Sequence, residues 1–291
     1  MLNLNKVGRP LARIDGGKYS GRVVSVSDQF ANDKQTEPSD SLIKEFRQLK
    51  IANDSKFQHV PDTTKEREIL YITGPSGSGK STYTRKYLEQ YKKKYKNREI
   101  YLFSSLPSDE SLDKIKPKRI KLDESMYTDP IKVDELSESI CIFDDIDVIS
   151  EKKVREAVYD VLNQVLEIGR HYKIHCVVTN HLPTNGKDTR RILNEAHTVT
   201  YFPHSAGGKI KYTLEEYAGL DKKQIAYMKK QNSRWATIYK NYPQCYAVEH
   251  EIGLLNIHDD SSGDEKLTKA KRRNQQQREE SAEEEKPPAI L

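Results

Sequence analysis

Short apolar runs alternate with longer amphipathic segments through the middle of the chain. Five apolar runs predict β-strands, at residues 68–73, 99–103, 139–143, 174–179 and 198–202. The segments 80–95 and 153–169 place their apolar residues on one face of a helix, so they predict two α-helices. Strands separated by helices of this length predict an α/β fold with a mostly parallel central sheet that helices cover on both faces.

The two ends of the chain are more polar than this middle part. We expect an N-terminal extension at residues 1–64 that is partly disordered, with a β-hairpin at 16–26 and a short helix at 42–49. Residues 65–257 are expected to fold as one domain. Residues 258–291 combine few apolar residues with alternating charges, which predicts a disordered charged tail, with a solvated helix as the alternative.

Composition excludes several classes of protein. The longest apolar runs are far shorter than the roughly 18 residues needed to span a bilayer, and the N-terminus lacks the apolar stretch of a signal peptide. Three widely spaced cysteines predict free thiols in a reducing compartment, hence an intracellular protein. The formal net charge of +5 permits a nucleic-acid partner without requiring one. The excess of positive charge is concentrated in residues 187–240, which hold 11 basic and 5 acidic residues.

Residues 74–81 read GPSGSGKS, which matches the G-x-x-x-x-G-K-[ST] phosphate-binding loop between a strand and a helix. Glycines let the backbone N–H groups point at phosphates, and the helix N-terminus adds partial positive charge. We expect Lys80 to reach the β- and γ-phosphates of ATP and the Ser81 hydroxyl to bind Mg²⁺. The predicted nucleotide-binding residues are Gly74, Pro75, Ser76, Gly77, Ser78, Gly79, Lys80, Ser81 and Thr82.

Two carboxylates follow the third predicted strand, in the run ICIFDD. Apolar residues followed by acids are typical of a Walker B strand, whose end lies beside the phosphate loop in a parallel sheet. Asp144 is expected to hold Mg²⁺ through water, and Asp145 to polarise the attacking water as a general base. The alternative is an acidic turn after a buried strand, and Asp145 is one methylene shorter than the usual Glu.

The fourth predicted strand is followed by Asn180. Some ATPases insert a strand after the Walker B strand, and a polar residue at its tip then lies between the two Walker motifs. Asn180 is therefore predicted to orient the water or sense the γ-phosphate, with an ordinary turn residue as the alternative. Arg170 is predicted either to cap its own helix or to act as an arginine finger in a neighbouring subunit, a role for which Arg190 and Arg191 compete.

Five segments follow one another along the chain in an order that is typical of a known family: GPSGSGKS, IYLFS, CIFDDID, GRHYKIHCVVTNH and DTRRILNEAHTVTYFP. In this order they resemble the DNA-packaging ATPases of large double-stranded DNA viruses, the viral branch of the FtsK–HerA superfamily, over residues 65–257. The resemblance implies a RecA-like core that hydrolyses ATP between the subunits of a homo-oligomeric ring. It also implies double-stranded DNA as a sequence-independent partner, a capsid or vertex protein as a further partner, and a location in the host-cell cytoplasm, virus factory or virion.

Other functions share parts of this pattern. A helicase or AAA-type remodelling ATPase would carry the same two Walker motifs, and a nucleotide kinase would share the phosphate loop and could use residues 184–191 as a lid. If the protein moves DNA, basic residues after the fourth strand are expected to grip its phosphates. The candidates for this grip are Lys187, Arg190, Arg191, Lys209 and Lys211.

Overall fold

The computed structural model describes residues 1–27, 46–205 and 207–255, which belong to one compact unit. The predicted tail at 258–291 and the first part of the predicted helix at 42–49 lie outside these residues. In chain order the elements are β1 (Leu2–Asn3), β2 (Arg9–Asp15), β3 (Val23–Val26), β4 (Gln48–Lys50), β5 (Lys56–His59), β6 (Ile69–Thr73), α1 (Lys80–Lys94), β7 (Ile100–Ser104), β8 (Lys118–Ile120), α2 (Ser125–Thr128), β9 (Ile140–Asp144), α3 (Lys152–Ile168), β10 (His175–Asn180), α4 (Gly186–Glu195), β11 (Thr198–Tyr201), α5 (Lys209–Ala218), α6 (Lys222–Lys230), β12 (Ala236–Tyr239), β13 (Cys245–Val248) and β14 (Glu251–Leu254).

The larger of the two sheets has the strand order β4-β14-β13-β12-β11-β6-β10-β9-β7-β8. Its half from β11 to β8 is parallel throughout, and the remaining strands are antiparallel. All five predicted strands are confirmed within this parallel half, as is the predicted α/β fold. Strand β10 lies between β6 and β9, so the strand after the acidic motif is inserted beside the strand of the phosphate loop.

The smaller sheet is antiparallel, with the order β1-β3-β2-β5. Its β2–β3 hairpin confirms the hairpin predicted at 16–26. The prediction of a helix at 42–49 is wrong at its C-terminal end, which the structure describes, because Gln48–Lys50 is a strand that pairs with β14. The apolar residues Leu11, Ile14 and Phe57 of this sheet pack against β12–β14. The expected N-terminal extension therefore shares a core with the domain that follows it.

Alternating side chains send the main sheet into two cores. Tyr71 and its same-face neighbours pack against α3 and α4, while Leu70 and Ile72 pack against α1. Helices α5 and α6 continue the first layer over the antiparallel strands, and the smaller sheet continues the second. Strands β6, β9 and β10 are buried along their whole length, which explains their continuous apolar sequences. None of the described helices combines the length and apolar character needed to cross a membrane.

Candidate nucleotide site

The phosphate loop connects β6 to α1 at the carboxyl edge of the parallel strands. Gly77 and Gly79 have φ angles of 75° and 108°, a left-handed backbone that only glycine adopts without strain. A Cβ on Gly74 would lie 2.7 Å from the Ser78 hydroxyl oxygen and 2.8 Å from the Phe202 ring. The glycines are thus required for backbone shape and for close packing. The first N–H groups of α1 have no side-chain cap, which leaves them free for an anion.

Lys80 is held inside the site rather than extended into solvent. Its side chain is only 7% exposed, and Nζ donates to the carbonyl oxygen of Gly74 at 3.0 Å. Nζ also lies 3.2 Å from His181 Nδ1 and 3.6 Å from Asp145 Oδ2. The structure therefore brings together the lysine and the second acid that the motifs singled out, and it adds a histidine that the motifs did not.

Asp144 ends β9 with a buried carboxylate. Oδ1 accepts a hydrogen bond from Thr179 Oγ1 at 2.7 Å, and Oδ2 accepts one from Ser104 Oγ at 3.2 Å. Each oxygen keeps further acceptor capacity. A carboxylate together with the Ser81 hydroxyl at the start of α1 offers the hard oxygen ligands that Mg²⁺ prefers, with phosphate and water completing its shell. The residues present therefore fit magnesium.

Asp145 has an unusual backbone, with φ 46° and ψ 44°. Its N–H donates to the carbonyl oxygen of Thr179 at 3.1 Å, and its Oδ2 lies 3.0 Å from His181 Nε2. Its Oδ1 is buried and has no hydrogen-bond partner among the described residues. Burial raises the pKa of Asp145 above its ordinary value, although the charges of Lys80 and His181 oppose this and that of Asp144 adds to it. A carboxylate with a raised pKa is a better proton acceptor.

Asn180 and His181 contact the loop in different ways. The Asn180 carbonyl accepts the N–H of Gly74 at 3.1 Å, but its side chain is 1% exposed and donates to the Tyr71 hydroxyl at 3.3 Å. The next residue, His181, reaches both Lys80 and Asp145. The sequence signal for His181 is its position directly after the inner strand β10, one residue beyond the predicted Asn180.

The predicted arginine finger is not at this edge within its own chain. Arg170 follows α3 at the amino edge of the sheet, where its side chain is 74% exposed and pairs with Glu66 at 3.4 Å. Arg190 and Arg191 lie on α4, where Arg191 pairs with Glu167 at 3.2 Å. The contacts of Arg170 and Arg191 are therefore made away from the phosphate loop of the same subunit.

The capping role considered for Arg170 is filled by another residue. Arg67 is buried and donates from both terminal nitrogens to the last carbonyls of α3, at 2.6 Å to Val165 and 2.8 Å to Leu166. Arg67 precedes β6 by two positions and lies about a hundred residues from these carbonyls. No local pattern in the sequence indicates this contact.

The candidate DNA-gripping residues lie on the two helices α4 and α5. Lys187, Arg190 and Arg191 are exposed on α4, and Lys209 and Lys211 are exposed on α5. Lys211 lies 3.9 Å from Glu215 on its own helix. The segment 184–191, considered as a kinase lid, runs into α4, whose Thr189, Ile192 and Leu193 are buried.

Known proteins were compared with the chain as a whole. No family model matches it. Among solved structures, it is similar to the genome packaging NTPase B204 of Sulfolobus turreted icosahedral virus 2 in complex with AMP. That likeness has 13% identity, a TM-score of 0.47, and coverage of 64% of this chain and 98% of that one. It is also similar to the pCW3 conjugation coupling protein TcpA, at 12% identity and a TM-score of 0.41, covering 86% and 78%.

Similarity in sequence is much stronger with a viral protein. The chain is 42% identical over 245 residues to the uncharacterized protein V3 of Sputnik virophage, and the match covers 83% of this chain and 94% of V3. This relative is a viral protein, in agreement with the viral resemblance that the motifs indicate. The chain belongs to the same family as Sputnik virophage protein V3, and its own sheet and phosphate loop have the arrangement of a P-loop nucleotide-binding protein.

Proposed function

We propose that the protein is an ATP-driven translocase of double-stranded DNA that packages a viral genome into capsids. The carrying observation is the carboxyl edge of the parallel sheet, where β6, β9 and β10 bring Lys80, Asp144 and Asp145 together. These residues are the set that phosphoryl transfer to water requires. The DNA partner is supported by the ordered motifs that resemble packaging ATPases and by a virophage relative.

The residues of the site act in sequence on bound ATP. The loop N–H groups and Lys80 hold the phosphates, and Asp145 accepts a proton from the water whose oxygen attacks the γ-phosphorus. The bond to the β,γ-bridging oxygen breaks, which yields ADP and inorganic phosphate. Mg²⁺ bound by Ser81 and Asp144 would neutralise the charge of the phosphates. Asn180 reports occupancy of the loop through its carbonyl bond to Gly74.

Two other functions fit less well. A nucleotide kinase is disfavoured because the segment considered as its lid runs into a packed helix, and because β10 separates the loop strand from the acidic strand. A helicase or remodelling ATPase shares the same site and remains the second candidate. The two candidates differ in the DNA that should stimulate ATP hydrolysis: double-stranded DNA for a packaging motor and single-stranded DNA for a helicase.

The proposed assembly is a homo-oligomeric ring that binds a capsid or vertex protein and works in the host-cell cytoplasm or virus factory. Within one subunit, Arg170 lies at the opposite edge of the sheet from the phosphate loop. In a ring it would serve as a finger only from a neighbouring subunit, with Arg190 and Arg191 as the other candidates. Light scattering with ATP and DNA tests the ring, and a strict monomer would remove the finger proposal.

The main experiment measures phosphate release with no DNA, with linear double-stranded DNA and with single-stranded DNA. We expect double-stranded DNA to stimulate hydrolysis several-fold and single-stranded DNA to have little effect. A second reaction supplies a nucleoside monophosphate as acceptor. Phosphate transfer to that acceptor without DNA stimulation would replace the motor by a kinase, and stimulation by single strands alone would favour the helicase.

A further inference from the structure

His181 lies close to both charged groups of the site, the ammonium of Lys80 and the carboxylate of Asp145. Its Nδ1 lies 3.2 Å from the ammonium of Lys80, and its Nε2 lies 3.0 Å from the carboxylate of Asp145. An ammonium only donates, so Nδ1 accepts the hydrogen bond from Lys80, and a carboxylate only accepts, so a proton on Nε2 suits the close contact with Asp145. A neutral imidazole with its proton on Nε2 satisfies both contacts.

These contacts occupy groups that the proposed chemistry needs. Lys80 donates to the Gly74 carbonyl and to His181, with the Asp145 carboxylate close by, so its charge is already compensated. Phosphate oxygens of a nucleotide can gain this lysine only by displacing such partners. The backbone that positions Asp145 is left-handed, and its N–H is fixed to Thr179, so this acid has little freedom to follow the lysine.

We propose that His181 is a positioning residue that fastens Lys80 to Asp145 and then orients Asp145 once phosphates take the lysine. The inference rests on the proposed function and deepens it. His181 is 36% exposed, so the imidazole has room to move when the lysine leaves. Arriving phosphates break the Nδ1 contact, while the Nε2–H donor stays with the carboxylate that accepts the proton from water.

The two contacts predict effects of opposite sign on binding and on turnover. A His181→Leu variant loses the acceptor that competes for Lys80, so a nucleoside triphosphate should bind roughly tenfold more tightly, the lower end of the scale of one hydrogen bond to a charged group. The same variant loses the donor that orients Asp145, so kcat should fall roughly tenfold. General damage to the site would weaken both binding and turnover together.

The experiment uses the full-length chain. Isothermal titration measures affinity for an ATP analogue with a methylene bridge between the β- and γ-phosphates, and phosphate release measures kcat and KM for ATP. His181→Gln is the conservative variant, because its amide carries one acceptor and one donor group and should restore both values toward wild type. His204→Leu is the matched control, an exposed histidine near the carboxyl end of β11, and should change neither value.

Tighter analogue binding with lower kcat in His181→Leu, reversed in His181→Gln, is the expected result. Weaker binding and lower kcat together, no change in either, or a His181→Gln variant as impaired as His181→Leu would each overturn the role. If the wild-type chain bound the analogue but hydrolysed no ATP, the proposed function would fail. The binding measurements would still decide whether His181 competes for Lys80.

Discussion

The parallel sheet carries a polar cluster at each of its two edges, and the clusters differ in how they are closed. At the carboxyl edge, Lys80, Asp145 and His181 contact one another, and His181 remains partly exposed. At the amino edge, Glu68 and His59 are buried. Similar residue types therefore form an open site at one edge and a sealed one at the other.

The sealed cluster uses its polar groups to join layers. Glu68 Oε2 accepts from the Tyr87 hydroxyl of α1 at 2.8 Å, and its Oε1 lies 3.5 Å from His59 Nε2 in the smaller sheet. Burial alone would raise the pKa of Glu68. Its hydrogen bond and charge interaction with His59 lower it, as do hydrogen bonds from Asp62 N–H and Tyr87, and the net pKa is about 2. Ionisable residues therefore indicate a reactive site only where a ligand can reach them.

The largest expected effect is at the open edge. Lys80→Ala should lower ATP hydrolysis by about 10³-fold, because it removes the charge that stabilises the phosphates in the transition state. Lys86→Ala, an exposed lysine on the same helix, is the control and should be fully active. Unaltered hydrolysis in Lys80→Ala would mean that the loop is not the site.

A change at the sealed edge should cost stability instead. Glu68→Ala should lower the free energy of unfolding by about 3 kcal/mol, because it leaves the Tyr87 hydroxyl and the Asp62 N–H buried without their acceptor and removes the charge partner of His59. Glu89→Ala is the comparison on α1, where a partly exposed i,i+4 pair with Arg85 is expected to contribute about 0.5 kcal/mol or less. Equal losses in the two variants, measured by urea denaturation, would contradict the distinction between the edges.

The sealed edge also predicts acid sensitivity. Burial lowers the pKa of His175 from 6.5 to about 4, and that of His197 to about 4 as well. Below pH 6.5 the unfolded chain therefore binds protons that the folded chain does not bind. The contribution of these neutral histidines to the free energy of unfolding is present above pH 6.5 and is lost as the pH falls toward 4. Thermal unfolding between pH 7 and 5 should show the loss. His175→Asn should flatten the slope by about 1 kcal/mol per pH unit, and an unchanged slope would contradict the assignment.

The smallest stability effect is expected at the exposed rim of the amino edge. Arg170→Ala should change the free energy of unfolding by less than about 0.5 kcal/mol, because its pair with Glu66 is largely solvated. Arg67→Ala should cost about 2 kcal/mol, because two charged hydrogen bonds to carbonyls of α3 are lost inside the protein. If Arg170→Ala leaves stability intact but lowers hydrolysis strongly in the assembled state, the finger proposal gains support.

Part of the site could be predicted because its chemistry is local in sequence. A phosphate loop needs glycines, lysine and a hydroxyl within eight residues, and the acids must follow a buried strand directly. Five of the six strands of the parallel half were likewise readable, since strands buried on both faces are continuous apolar runs, whereas the short strand β8 was not predicted. The insertion of β10 between β6 and β9 agrees with the expectation that placed Asn180 near the loop.

Other features had no local signal. The smaller sheet is built from polar-looking segments whose few apolar residues gain a core only against β12–β14. Gln48–Lys50 forms an edge strand because β14 offers it a partner, although its surroundings suggested a helix. Tertiary pairing outweighs weak local propensity in such short segments.

The sequence by itself determined the nucleotide chemistry, because the loop motif and the acidic strand end specify which groups meet phosphate. The tertiary structure decided which other residues join them. His181 is 101 residues from Lys80, and only the parallel pairing of β10 with β6 places the two side chains in contact. It also decided that Glu68 and His59 are structural, because the same fold that opens the carboxyl edge to a ligand buries the amino edge beneath a second sheet.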